Sequence, residues 1–155
     1  MNKKILIALS VVFVAIIAMG TVSAFEIPGL GSLFGSPPDQ NVTLDGETFH
    51  VPADFKENKN VSKNATVKDY TFFTSTSYAK GFKNNTNYLN ILIFEYNGTD
   101  AKDFENYMNG TSKNVNGTAG YLYYDGVGYT FSYAKGNKVI SIQSDNEKLI
   151  ARAIA

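Results

Sequence analysis

The chain has 155 residues, with 14 Lys and Arg against 14 Asp and Glu, a single histidine and no cysteine. A formal net charge of zero lacks the basic footprint with which nucleic-acid binders neutralise phosphates, so nucleic acid is not an expected partner. The absence of cysteine excludes thiol catalysis, Cys-held metal, disulfide staples and a lipid-modified N-terminal Cys, so a domain here must be stable through its core alone.

The chain opens with Lys3 and Lys4 ahead of an apolar run, Ile5–Ala18, broken by Ser10 alone, and then the small residues Val22-Ser23-Ala24. This is the order of a signal peptide cleaved after Ala24, while counting on through Val22 gives a length that also suits a retained N-terminal apolar helix. In the second case Lys3 and Lys4 keep the N-terminus cytoplasmic, and in both cases everything after Phe25 is expected outside the cytoplasm. Residues 25–40, including "IPGLGSLFGSPPD", mix Gly, Ser and Pro with no helix or strand period and read as a flexible linker, with Leu30, Leu33 and Phe34 as a possible docking segment.

Residues 41–155 then read as one domain. "NVTLDGETFHVP" carries a hairpin signal at Asp45-Gly46, which sets Val42 opposite Phe49 and puts Val42, Leu44, Phe49 and Val51 on one face. "VKDYTFFTSTSYAK" (67–80) reads as a single strand and "GFKNNTN" as a loop. "YLNILIFEY" (88–96) is apolar on both faces and reads as a central strand. "NGTDAKDFENYMNG" (97–110) changes period and predicts a helix capped by Thr99 or Asp100, with Ala101, Phe104, Tyr107 and Met108 as its apolar stripe. "TAGYLYYD" and "GYTFSYAKGNKVISIQ" give two or three further strands, turning at Gly136-Asn137 with Phe131 facing Ile142 and Tyr133 facing Ile140. "SDNEKLIARAIA" closes the chain as a helix with a capping box, Ser144 and Glu147, and a stripe of Leu149, Ile150, Ala153 and Ile154.

Together these elements predict an α+β domain: an antiparallel sheet of five to seven strands with two helices packed on it. The segments "NVTLDGETFHVPADF" and "NVNGTAGYLYYDGVGYTFSYAKGNKVISIQSDNEKLIARAI" resemble small exported proteins of methanogenic archaea, in which a leader and linker precede one such domain. The order of elements is also similar to the Mog1/PsbP-like α/β sandwich. The resemblance spans residues 41–155 and implies fold and compartment; it carries no activity to any residue.

No catalytic signature stands out. His50, on the solvent face of an early strand, has no acidic neighbour at a useful spacing. Asp100 and Asp103 are accounted for by a helix start. Glu95 ends the most buried strand, where a half-buried carboxyl would suit an acid, or where the strand emerges into water. No D-x-D, EF-hand or G-x-S-x-G pattern occurs, and no cofactor or metal is implied. The tyrosines of one hairpin, Tyr121, Tyr123 and Tyr124, suit a binding surface; Tyr124 is opposite in phase to the other two, so one set faces outward.

Asn-x-Ser/Thr occurs at Asn41, Asn60, Asn64, Asn84, Asn97, Asn109 and Asn116, roughly threefold above what the Asn, Ser and Thr content alone would give. Turn chemistry competes for the "NGT" copies at Asn97, Asn109 and Asn116, but not for Asn60 and Asn64. The resulting expectation is an exported, N-glycosylated secreted or cell-surface domain, not an enzyme, that binds an envelope component or surface protein and touches the membrane only through an uncleaved leader. A carboxylate-dependent envelope hydrolase and a structural coat component are the alternatives.

Overall fold

The computed structural model describes residues 38–154; the leader and nearly all of the linker lie outside them. Ten strands and two short helices follow one another: β1 (Gln40–Leu44), β2 (Glu47–Val51), β3 (Lys56–Glu57), β4 (Lys63–Asp69), β5 (Thr74–Lys83), β6 (Tyr88–Asn97), a 3-10 helix (Ala101–Tyr107), β7 (Thr111–Val115), β8 (Thr118–Tyr124), β9 (Tyr129–Lys135), β10 (Lys138–Ser144) and α1 (Glu147–Ala153). Strands hold 56% of the described residues and helices 12%. The domain is therefore mostly β, and the expected α+β class is overturned.

Eight strands form one antiparallel sheet in the order β3-β5-β6-β10-β9-β8-β7, with β4 also pairing β5; β1 and β2 form a separate hairpin. Local sequence explains much of this. Asp45 and Gly46 both take positive φ (47° and 77°), the turn that matches strand twist, and the register falls as the sequence predicts, Val42 opposite Phe49. Gly136 likewise turns β9 into β10, placing Phe131 opposite Ile142 and Tyr133 opposite Ile140. β6 lies between β5 and β10, and its two apolar faces fill two cores. Leu89, Ile91 and Ile93 point into the larger one, with Phe131, Ile140 and Ile142, covered by the β1–β2 hairpin and by Ile150 and Ala153 of α1. Leu92 and Phe94 point into the smaller one, with Tyr96 and Val139, covered by Ala101, Phe104 and Met108.

Four expectations fail, each for a local reason. The single strand expected over 67–80 is two, β4 and β5, because the chain turns at 70–73, where the Tyr70 amide donates to the Phe73 carbonyl at 2.9 Å without any Gly or Pro. The expected "GFKNNTN" loop is shorter, since β5 continues through Lys83. The helix expected at 97–110 forms only as a 3-10 helix; its Asp100 cap accepts from the Lys102 amide, and its stripe buries Ala101 and Phe104. Finally, α1 is capped by Asn146 and not by Ser144, which ends β10 and donates its hydroxyl to the Tyr88 carbonyl at 2.7 Å. Strands β3 and β7 have no counterpart in the sequence reading.

Candidate binding cleft

The face of the sheet that carries the smaller core is only partly covered, and its uncovered part is built of small and polar residues. On β5 the inward positions are Ser75, Ser77, Ala79 and Gly81, directly across from Tyr96, Phe94, Leu92 and Asn90 of β6. Four successive small side chains leave a trough beside the larger β6 residues. Gly81 has a steric role as well: a Cβ there would stand 2.5 Å from Val61 Cβ, so only glycine lets Val61 close over the trough. Strand β4 forms the other wall. Its pairing with β5 is interrupted between Lys63 and Thr66, a bulge that re-aims its side chains.

The result is a cleft of about 120 Å³ with Leu92, Phe94 and Ala79 as its apolar floor, Ser75, Ser77, Asn90 and Gln143 as its polar groups, and Lys63 and Lys68 at its side. No carboxylate lines it. The side-chain amides of Asn90 and Gln143 make no hydrogen bond to another described residue, whereas the nearby buried pair Ser132 and Ser141 satisfy each other at 2.8 Å. The same row of the sheet runs on across the strands: Asn90 faces Gln143, Gln143 faces Thr130, and Thr130 faces Tyr123. Three inter-strand steps make a strip about 14 Å long.

The tyrosines expected at a binding surface divide differently from the two sets the sequence suggests. Tyr123 and Tyr124 are both exposed, at 43% and 54%. Tyr124 is held structurally: its ring packs on Tyr129 at 4.7 Å and its hydroxyl donates to the Gly126 carbonyl at 3.0 Å. Tyr121 is half-buried against the smaller core. Tyr123 alone stands on the open strip. Burial raises the Tyr96 hydroxyl well above its ordinary range and that of Tyr133 to about 12, so both stay protonated as core residues.

Of the seven sequon asparagines, six are exposed and Asn84 is half-buried. The Asn84 carboxamide oxygen accepts from the amides of Thr86 (2.9 Å) and Asn87 (2.7 Å), and its nitrogen donates to Asp54 at 2.7 Å. Asn116, at φ 49°, donates to the Ala151 carbonyl at 2.6 Å. Asn41, Asn60, Asn64, Asn97 and Asn109 make no side-chain hydrogen bond to another described residue.

Elsewhere, Glu95 accepts from Asn137 at 3.3 Å. Near it, Asp45 pairs with Lys138 at 2.9 Å and Glu47 with Lys135 at 2.6 Å, ion pairs that fasten the β1–β2 hairpin to the sheet. Asp45 and Glu47 are thus engaged with cations, and Glu95 with a side-chain amide. Among the described residues no group of three His, Asp or Glu is placed to hold a metal ion, and no helix is long and apolar enough to cross a membrane. Comparison of the chain with family models, curated proteins and solved structures finds no match.

Sequence reasoning missed the cleft. Its one visible signal was Ser75-x-Ser77-x-Ala79-x-Gly81, small residues at the strand period, but that pattern gains meaning only once β6 is known to lie opposite.

Proposed function

We propose that this is an exported domain, secreted or held at the cell surface, that acts by binding and not by turnover, and that its ligand is an anionic, hydroxyl-bearing segment of an envelope polymer. The observation that carries this reading is the cleft lining: two lysines and no carboxylate, beside unpartnered amides on an otherwise well-satisfied sheet. Lys63 and Lys68 would neutralise acidic groups, Asn90 and Gln143 would pair with hydroxyls, and Tyr123 would offer a ring face to a sugar further along the strip. The apolar leader sequence supports the compartment, as does the resemblance to exported proteins.

The test is a titration of the full chain with uronic-acid oligomers, and with neutral oligomers of equal length, followed by side-chain amide NMR. The reading expects saturable shifts of the Asn90 and Gln143 amides with the acidic oligomer only. Equal response to both oligomers, or shifts confined to the opposite face, would remove it.

A further inference from the structure

The outer edge of β4 is unpaired among the described residues, since β4 pairs β5 alone. All seven of its residues are exposed, including Val67 at 60%. A long exposed edge of this kind is a template for pairing with a second chain, and proteins guard such edges with charge, bulges or covering bulk. Here the bulge and two lysines, Lys63 and Lys68, do part of that work. The remaining feature is chemical: Asn60, just before the strand, and Asn64, within it, are both exposed sequon residues. Neither carboxamide makes a hydrogen bond to another described residue. Asn84 and Asn116 differ, because both spend their side-chain nitrogen on the fold.

We infer that Asn60 and Asn64 carry N-linked sugars that cover the outer edge of β4 and keep it from pairing, and that Asn84 and Asn116 stay bare. The inference rests on the export reading above, because the reaction needs a lipid-linked sugar phosphate donor and its transferase outside the cytoplasm. In that reaction a bond forms between Asn Nδ2 and the anomeric carbon of the sugar. The bond from that carbon to the donor's phosphate oxygen breaks, and one amide proton leaves with the lipid phosphate. No electrons change hands.

Glycopeptide mapping of the full chain from its own cells tests the sites. Trypsin cuts after Lys59, Lys63 and Lys68, so Asn60 and Asn64 fall on separate short peptides. The expected result is added sugar mass on both, with Asn84 and Asn116 unmodified. An exported, leader-processed chain with bare Asn60 and Asn64 overturns the inference and leaves export standing. A chain that never leaves the cytoplasm overturns both.

Sedimentation tests the covering role. The modified protein is expected to run as a monomer, and Asn60→Gln/Asn64→Gln to shift with concentration toward the mass of a dimer. Adding Val67→Lys to that variant is expected to restore the monomer. If the double variant fails to fold, sugars stripped from the folded native chain replace it. Sugar-free protein that stays monomeric overturns the covering role.

Discussion

Gly81→Ala probes the closure of the cleft wall most cleanly. Gly81 does not have positive φ, so alanine is acceptable to the backbone and only the space is wrong. The added Cβ would lie 2.5 Å from Val61 Cβ, 2.7 Å from its Cγ1 and 3.1 Å from Asn90 Oδ1, against ordinary contact at 3.4 Å and beyond. Val61 must therefore retreat by about 0.9 Å, the difference between 3.4 and 2.5 Å. Overpacking of this order costs about 1–3 kcal/mol, and the reduced chain entropy of the unfolded state returns about 0.4–1 kcal/mol. A net loss near 1–2 kcal/mol lowers the midpoint of thermal unfolding by about 4–8 °C for a domain of this size. Calorimetry of wild type, Gly81→Ala, Val61→Gly and the double variant separates the clash from the loss of Val61 burial. In the Val61→Gly background, Gly81→Ala is expected to be neutral or slightly stabilising. Equal destabilisation in both backgrounds would show that Val61 does not close on Gly81 and would refute the reasoning.

Other consequences follow from particular contacts. Ser141→Ala leaves the buried Ser132 hydroxyl without its partner and is expected to cost about 1–3 kcal/mol in urea unfolding, while Ser132→Ala/Ser141→Ala costs less than the two single changes added together. Asn146→Ala removes the α1 cap at about 0.5–2 kcal/mol by the same assay, and Lys148 amide exchange is expected to accelerate with it. The Arg152 hydrogen bond holds the Asp39 carboxyl below its ordinary value, and the backbone amides of Gly128 and Val127 do the same for Asp125. Folded-state values that are depressed contribute stability above the unfolded value of about 3.9 and lose it as the pH falls through the folded ones. Carboxyl NMR titration is therefore expected to place both midpoints below about 3.9, and Arg152→Gln to move only that of Asp39 upward.

What the sequence made legible is what is encoded locally. Asp45-Gly46 and Gly136-Asn137 dictate their turns through backbone conformation, and the two-residue alternation around them then fixes both registers. The doubly apolar run at Leu89–Phe94 could only be central. What stayed hidden depends on partners distant in the chain. The Tyr70–Phe73 turn carries no Gly or Pro; its rings are held by stacking on each other at 4.7 Å and by edge-to-face contacts of Phe73 with Tyr96 and Phe104. Strand β7 buries only Val115, so it shows no alternation to read. The spacing of Ala101 and Phe104 suits a 3-10 helix and an α-helix alike; Met108 lies past the 3-10 helix as its extended C-cap, and Phe104 stacks on Tyr96 of the distant β6. The same dependence hides the cleft, whose small residues on one strand matter only against the large ones on its neighbour.

The most direct test of the binding reading is the affinity of the full chain for a uronic-acid oligomer before and after Lys63→Glu/Lys68→Glu, measured by isothermal titration at two salt concentrations. Both lysines lie on the exposed strand β4, so the fold is expected to survive the change. The account predicts salt-sensitive binding by the wild-type chain and loss of that binding in the variant, with the midpoint of thermal unfolding little changed. Unaltered affinity in the variant would contradict it, because the ligand would then be held somewhere other than the lysine-walled cleft.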